Sequence, residues 1–141
     1  MAIALKKFIE LLNNDLSWEY TACMQYVQHS GVMTGAAYMS IKKEIILHAQ
    51  EELMHATTLA GQINYLGGTP TADLKYKCQT ANDNVKMLEQ DLSGEEDAVK
   101  RYTERVAQAE ELNLYHLAQA LRTILAMEQE HAMDLQEALG R

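Results

Sequence analysis

Proline is almost absent from this 141-residue chain: Pro70 is the only one, so the stretches on either side of it carry no proline to break a helix. Aromatic residues are scarce too, 6% against 48% hydrophobic residues in all. Aliphatic bulk with few aromatics and few breakers reads as all-α. Cysteine is limited to Cys23 and Cys78, far apart in sequence. That excludes a disulfide framework and a thiolate zinc knuckle, and it fits a reducing cytoplasm. Both cysteines are expected to be small apolar core groups. Positive charge is in deficit, with 12 Lys and Arg against 20 Asp and Glu and a net charge of -8. Such a surface lacks the clustered cations that grip phosphates, so no nucleic-acid partner is expected and cations suit it better. Long apolar runs are missing as well. No span reaches transmembrane length, and the opening MAIALKKFIELLNND lacks the uninterrupted apolar core of a secretion signal, so no membrane association is expected. The length suffices for one domain with a real core, and residues 1–141 are expected to form a single domain.

What is present is a helical periodicity. Leu5, Phe8, Ile9, Leu12 and Leu16, then Ala22, Cys23, Tyr26 and Val27 recur at intervals of three and four. The spacing predicts one long first helix that ends in the Gly31 to Gly35 stretch. A second helix is predicted from about Ala37 to Tyr65, stopped by Gly67, Gly68 and Pro70. Residues 67–80 then form a connection. A third helix from about Asn82 to Ala109 and a fourth from about Leu114 to Leu139 are separated by a short turn near Glu111 to Asn113. The connection is long for neighbouring antiparallel helices but suits a crossover along the length of a bundle. The predicted fold is therefore a four-helix bundle of two antiparallel helical hairpins joined by a long crossover.

Two segments, Glu52-Leu53-Met54-His55 and Glu128-Gln129-Glu130-His131, read Glu-x-x-His. A spacing of three puts both side chains of each segment on one helix face. With 14 glutamates and 5 histidines in the chain, about 0.5 such pairs arise by chance, so the motif alone is weak. A larger regularity strengthens it. Glu19 precedes Glu52 by 33 residues, and Glu95 precedes Glu128 by 33, so each predicted hairpin carries one Glu and one Glu-x-x-His at equal distances from its turn. Residues equidistant from a hairpin turn share a height, here roughly 24 Å from it at a 1.5 Å rise per residue. Four carboxylates in one buried layer are costly unless neutralised, and two divalent cations match their charge. A Glu from each of two helices plus Glu-x-x-His from each of the other two is the di-metal carboxylate arrangement. Oxygen and imidazole donors suit iron, with manganese or zinc as substitutes.

These residues resemble those of the bacterioferritins, in register from about Glu19 to His131. Further matches are Tyr26 and His29 in the first helix, Pro70 in the connection, and Asp91-Leu92-x-x-Glu95 in the third helix. The resemblance implies a ferritin-like bundle holding two iron ions, with terminal ligands Glu19 and Glu95, bridging carboxylates Glu52 and Glu128, and one histidine, His55 or His131, on each metal. Two departures carry expectations of their own. Leu53 stands where the family places its axial methionine, and Met54 projects about 100° away around the helix, so no haem is expected. The chain ends at Arg141 without the short fifth helix of the family, so its full cage is not expected.

Neighbouring residues are read in the same terms. Tyr26, seven residues after Glu19, is the candidate catalytic side chain, its hydroxyl pointing towards the metals; Tyr102, seven after Glu95, is its counterpart. Asp91 is expected to accept the second ring N–H of a ligating histidine. His48, one turn before Glu52, is expected to be an outward polar residue, the alternative being a part in iron entry or proton transfer, and His29 and His116 are given no role. Most of the eight methionines are expected to fill the core. The favoured function is ferroxidase activity, oxidation of Fe(II) by dioxygen or peroxide for iron storage or detoxification, in a homodimer or larger homo-oligomer. The alternatives are a rubrerythrin-like di-iron peroxidase, for which Glu96 is a spare carboxylate, and a metal-free structural or interaction bundle.

Overall fold

A computed structural model describes residues 2–141. Its elements are α1 (Leu5–Val32), a 3-10 turn (Ala36–Tyr38), α2 (Met39–Tyr65), α3 (Asn84–Glu111) and α4 (Tyr115–Ala138). There is no strand among the described residues, and no helix is long and apolar enough to cross a membrane. α1 pairs with α2 and α3 with α4, while α1 also packs on α3 and α2 on α4. The all-α bundle of two hairpins expected from the periodicity is the one observed.

The breaks between elements have local causes. Past the end of α2 the Gly68 N–H bonds the carbonyl of Ile63 at 3.0 Å and the Gly67 N–H that of Asn64 at 3.1 Å, closing the helix in a Schellman turn. Gly67 has φ +90° there, a conformation that side chains resist. A Cβ on Gly68 would fall 2.6 Å from Ile9 of α1, so this glycine lets the chain pass close to the first helix. The connection is longer than residues 67–80, because α3 begins only after Asp83, whose carboxylate caps it by accepting from the Lys86 N–H at 2.9 Å.

The crossover climbs along α1 and is bonded to it throughout. Asn13 donates to the Thr69 carbonyl, Ser17 to that of Asp73 and Thr21 to that of Tyr76, at 2.8 to 3.1 Å. Near the top, the Gln79 N–H donates to Gln25 Oε1 at 2.8 Å. Trp18 and Tyr76 stack with ring centroids 3.7 Å apart. The strap therefore delivers α3 to the end of the bundle where α1 finishes, and α3 runs back antiparallel to α1.

Two apolar clusters fill the bundle. One contains Phe8, Leu12, Leu16, Leu59, Ile63, Tyr102 and Leu121; the other contains Tyr26, Ile45, Met87, Leu88 and Leu135. Between them lies a polar layer. Several sequence expectations need adjustment here. Val27 and Leu5, expected on the apolar stripe, are exposed, as are Met24, Met39, Met54 and Met133, whereas Met33 and Met87 are buried. The methionines thus divide between core and outer face because their stripes are wider than the face each helix turns inward. Cys23 and Cys78 are free and half-buried, with the Cys78 thiol donating to the Thr21 carbonyl at 3.4 Å.

Candidate metal centre

The polar layer gathers one face from each helix. α1 contributes Glu19, α2 Glu52 and His55, α3 Glu95, and α4 Glu128 and His131, none of them more than 4% exposed. His55 Nδ1 lies 3.3 Å from Glu52 Oε1, 3.3 Å from Glu128 Oε1 and 3.6 Å from Glu19 Oε2. His131 Nδ1 lies 3.4 Å from Glu52 Oε1, Glu128 Oε1 and Glu95 Oε1 alike. The same oxygen of Glu52 and of Glu128 is within reach of both imidazoles. Two overlapping groups result, Glu19-Glu52-His55-Glu128 and Glu52-Glu95-Glu128-His131, and they share the two middle carboxylates. A cavity of about 50 Å³ adjoins all four glutamates.

The donor set fits a pair of cations. Glu19 Oε2, Glu52 Oε1, Glu95 Oε2, Glu128 Oε1 and His55 Nδ1 are buried without a hydrogen-bond partner among the described residues. Buried polar atoms are normally satisfied, and five orphaned lone-pair atoms converging on one layer are what an electrophile would satisfy. Hard oxygens with one imidazole at each end match a first-row divalent ion better than a soft one.

Without a cation the layer holds protons instead. Burial, followed by the charges of Glu128, Glu19 and Glu95, pushes the Glu52 carboxyl well above its ordinary range. Glu95 is raised to about 8, first by burial, against the opposing bond from Tyr26. Glu128 is likewise raised to about 8 by burial and by Glu95. Burial opposes a charge on His55, yet the nearby Glu128 and Glu19 carboxylates win and push it up to about 10.

Two tyrosines clamp the outer carboxylates from opposite sides. Tyr26 of α1 donates to Glu95 Oε1 of α3 at 2.6 Å, and Tyr102 of α3 donates to Glu19 Oε1 of α1. Both hydroxyls are fully buried, and burial raises both well above the usual phenol range, so they stay protonated as donors.

Two expectations about the surroundings are overturned. Asp91 does not serve His55 or His131: its Oδ2 sits 2.9 Å from His29 Nδ1 and its Oδ1 accepts from Gln25 at 2.9 Å. The other nitrogen of His29 faces the Gln79 carbonyl at 2.9 Å. Both neighbours of His29 accept, so both nitrogens donate; against the effect of burial, the Asp91 bond and charge raise its pKa. His48, expected to point outwards, is fully buried. Its ring stacks on that of His131, centroids 3.9 Å apart, and meets Tyr26 edge-on at 5.1 Å. Burial and His131 push His48 down to about 4. His116 and Glu96 are exposed and lie outside the site.

An ion-pair cluster beneath the layer had no sequence signal. Asp15, one turn before Glu19, is fully buried and accepts from Arg105 Nε at 2.7 Å and Arg101 Nη1 at 2.9 Å. Arg101 also lies over the Trp18 ring at 5.5 Å.

A family model described as ferritin-like domain matches residues 9–141. Among curated proteins the chain is similar to the bacterioferritin of Brucella melitensis, 30% identical over 125 residues that cover 89% of this chain and 78% of that one. Among solved structures it is similar to a ferritin-like, diiron-carboxylate protein of Bacillus anthracis, 34% identical with a TM-score of 0.92 over 99% of both chains. It is also similar to a dodecameric thioferritin of Bacteroides fragilis, described as bacterioferritin-related, 35% identical with a TM-score of 0.91 over 98% of this chain and 87% of that one.

Proposed function

The chain belongs to the ferritin-like domain family, and from that premise we propose that it is a di-iron protein that oxidises Fe(II). Glu52 and Glu128 would bridge the two ions, with Glu19 and His55 completing one end and Glu95 and His131 the other. The observation that carries this is the shared reach of Glu52 Oε1 and Glu128 Oε1 to both imidazoles, 3.3 to 3.4 Å in each case. Fe(II) is substrate here and supplies the electrons. Two Fe(II) become two Fe(III) while dioxygen takes up two electrons and two protons to give hydrogen peroxide, or peroxide takes up the same to give two waters. The protein positions the ions, excludes bulk water and holds the outer carboxylates still through Tyr26 and Tyr102. Manganese and zinc suit the same donors as substitutes. Leu53 offers no donor atom, and no haem is proposed.

Mixing Fe(II)-loaded protein with dioxygen in a stopped-flow instrument should show fast oxidation of two irons per chain. A rate no faster than that of free iron would defeat the proposal. Tyr26→Phe removes a donor to a carboxylate, an interaction of about 1.5–3 kcal/mol. Oxidation should slow on the order of tenfold while two ions still bind; an unchanged rate would reduce Tyr26 to packing.

Metal ligands must shed their protons to coordinate. Glu95 and Glu128, both held up to about 8, are largely protonated at pH 7, so ions must displace those protons. Affinity for Co(II) or Mn(II) should therefore rise between pH 6 and pH 8, about tenfold per pH unit for each proton displaced. Calorimetry in two buffers of different ionisation heat checks this, and an affinity flat across that range would contradict it.

We further propose that the chain works as a homo-oligomer. Met24 and Val27 of α1 and Leu47 and Met54 of α2 are 47–62% exposed, apolar side chains that a partner copy would cover. Sedimentation equilibrium of the wild type should show at least a dimer, and Met24→Glu with Leu47→Glu should shift it towards monomer.

A further inference from the structure

Three side chains that play no part in the central layer come together just beyond it. Glu44 lies one turn before His48 on α2, and Asp134 lies one turn after His131 on α4. One donor atom from each of Glu44, His48 and Asp134 falls within 4.8 Å of the others. His48 is the unusual member. Its side chain is fully buried, it aims Nε2 at Asp134 Oδ2 across 3.2 Å, and its Nδ1 has no hydrogen-bond partner among the described residues. Burying an imidazole that is aimed at a carboxylate of another helix costs more than burying an apolar side chain of the same size, so packing alone does not call for a histidine there.

The two carboxylates are half-buried and open onto solvent. They line a surface cleft of about 450 Å³, whose mouth also carries Glu137 and which no basic side chain lines among the described residues. A cation approaching this cleft therefore meets three carboxylates and then an imidazole. Below the imidazole, the His48 ring stacks on His131, one of the six central side chains.

We propose that Glu44, His48 and Asp134 form a third site for a divalent cation, which passes ions inward along α2 and α4 to the central pair. One imidazole and two carboxylates offer the mixed nitrogen and oxygen donors that Fe(II), Mn(II), Co(II) and Zn(II) accept. The two negative charges cancel those of the ion. Coordination through Nε2 leaves the neutral ring's proton on Nδ1, the nitrogen that bonds nothing now. The site's existence is independent of the function proposed above, and only the inward transfer rests on it.

Co(II) serves as the probe, counted per chain by equilibrium dialysis and followed by its visible absorption in stopped-flow mixing. Three proteins are compared: wild type, Glu44→Gln with Asp134→Asn, and Glu52→Gln with Glu128→Gln. Because Glu44 and Asp134 are half-exposed, their amides leave the core intact, which circular dichroism verifies. The expected counts are three ions for wild type, two for the cleft variant and one for the central variant. Loading of the central pair should be about five to ten times slower in the cleft variant. Two ions in both wild type and cleft variant would overturn the third site, and equal loading rates would overturn the transfer. One ion in wild type that is lost only in the cleft variant would leave the third site standing while defeating the central pair.

Discussion

Replacing Glu52 and Glu128 together by glutamine is expected to raise the melting temperature of the metal-free protein by roughly 10 °C at pH 7.5, and to abolish the stabilisation that divalent ions confer. Both carboxyls are buried between further carboxylates, and both are raised above the ordinary 4.5, Glu128 to about 8. Between those two pH values the folded protein retains protons that the unfolded chain has released. Stability falls wherever the native state binds more protons and pH rises. With respect to these groups the metal-free wild type should thus be most stable below about pH 4.5 and lose stability as pH rises from there to about 8. Glutamine resembles the protonated carboxyl in size and keeps one carbonyl acceptor, yet it cannot ionise. Removing the need to hold the Glu128 proton about three pH units above 4.5 is worth on the order of 4 kcal/mol at pH 7.5.

Metal reverses the order. A ligand that binds only the folded state adds about 4 kcal/mol when present at a thousandfold excess over its dissociation constant. The wild type should gain this with Co(II) or Mn(II), and the variant, lacking both shared carboxylates, should gain little. Melting curves at pH 5.5, 7 and 8.5, each with chelator and with Co(II), separate the two effects. An identical response of the two proteins to Co(II) would remove the assignment of a metal centre. A variant that melts lower than wild type in chelator would mean that the carboxylates hold the core through their own hydrogen bonds.

The convergence of these six side chains was legible because it is written in one-dimensional spacings. Three residues fix a shared face of one helix, and 33 residues centred on a turn fix a shared height across a hairpin. Nothing comparable relates α1 to α3. Their register is set by the crossover, whose path depends on many separate hydrogen bonds such as Ser17 to Asp73 and Thr21 to Tyr76. That is why Asp91 could be placed near Glu95 on its own helix, whereas its actual partner, His29 of α1, was given no role. His48 illustrates a second limit. A histidine one turn from Glu52 fits an inward stripe and an outward polar face equally well, and the contact that decides it, with His131, comes from another helix. The methionines show a third: apolar periodicity marks a face, but does not reveal that part of that face lies outside the bundle.

Asp15 gives the second large effect, and it tests the part of the fold that spacing did not disclose. Asp15→Ala is expected to cost about 3–5 kcal/mol, since removing one partner of a buried ion pair leaves the other charge uncompensated. Here the charge left behind is chiefly that of Arg105, 3% exposed, with Arg101 losing its bond as well. At this chain length the melting temperature should drop by roughly 10–20 °C. The damage should also spread in a particular direction. Arg101 spans from Asp15 to the Trp18 ring, and Trp18 stacks on Tyr76 of the crossover. Hydrogen exchange in the crossover around Thr71 to Gln79 should therefore quicken more than exchange in α4, from which no side chain is hydrogen-bonded or ion-paired to the cluster among the described residues. A variant that also replaces Arg101 and Arg105 with methionine should recover most of the loss, because a buried triad exchanged for apolar groups of similar volume is often neutral or stabilising. If Asp15→Ala alone melts within about 2 °C of wild type, water reaches the two guanidinium groups, and the register of α1 on α3 is held by the Tyr26 and Tyr102 hydroxyls instead.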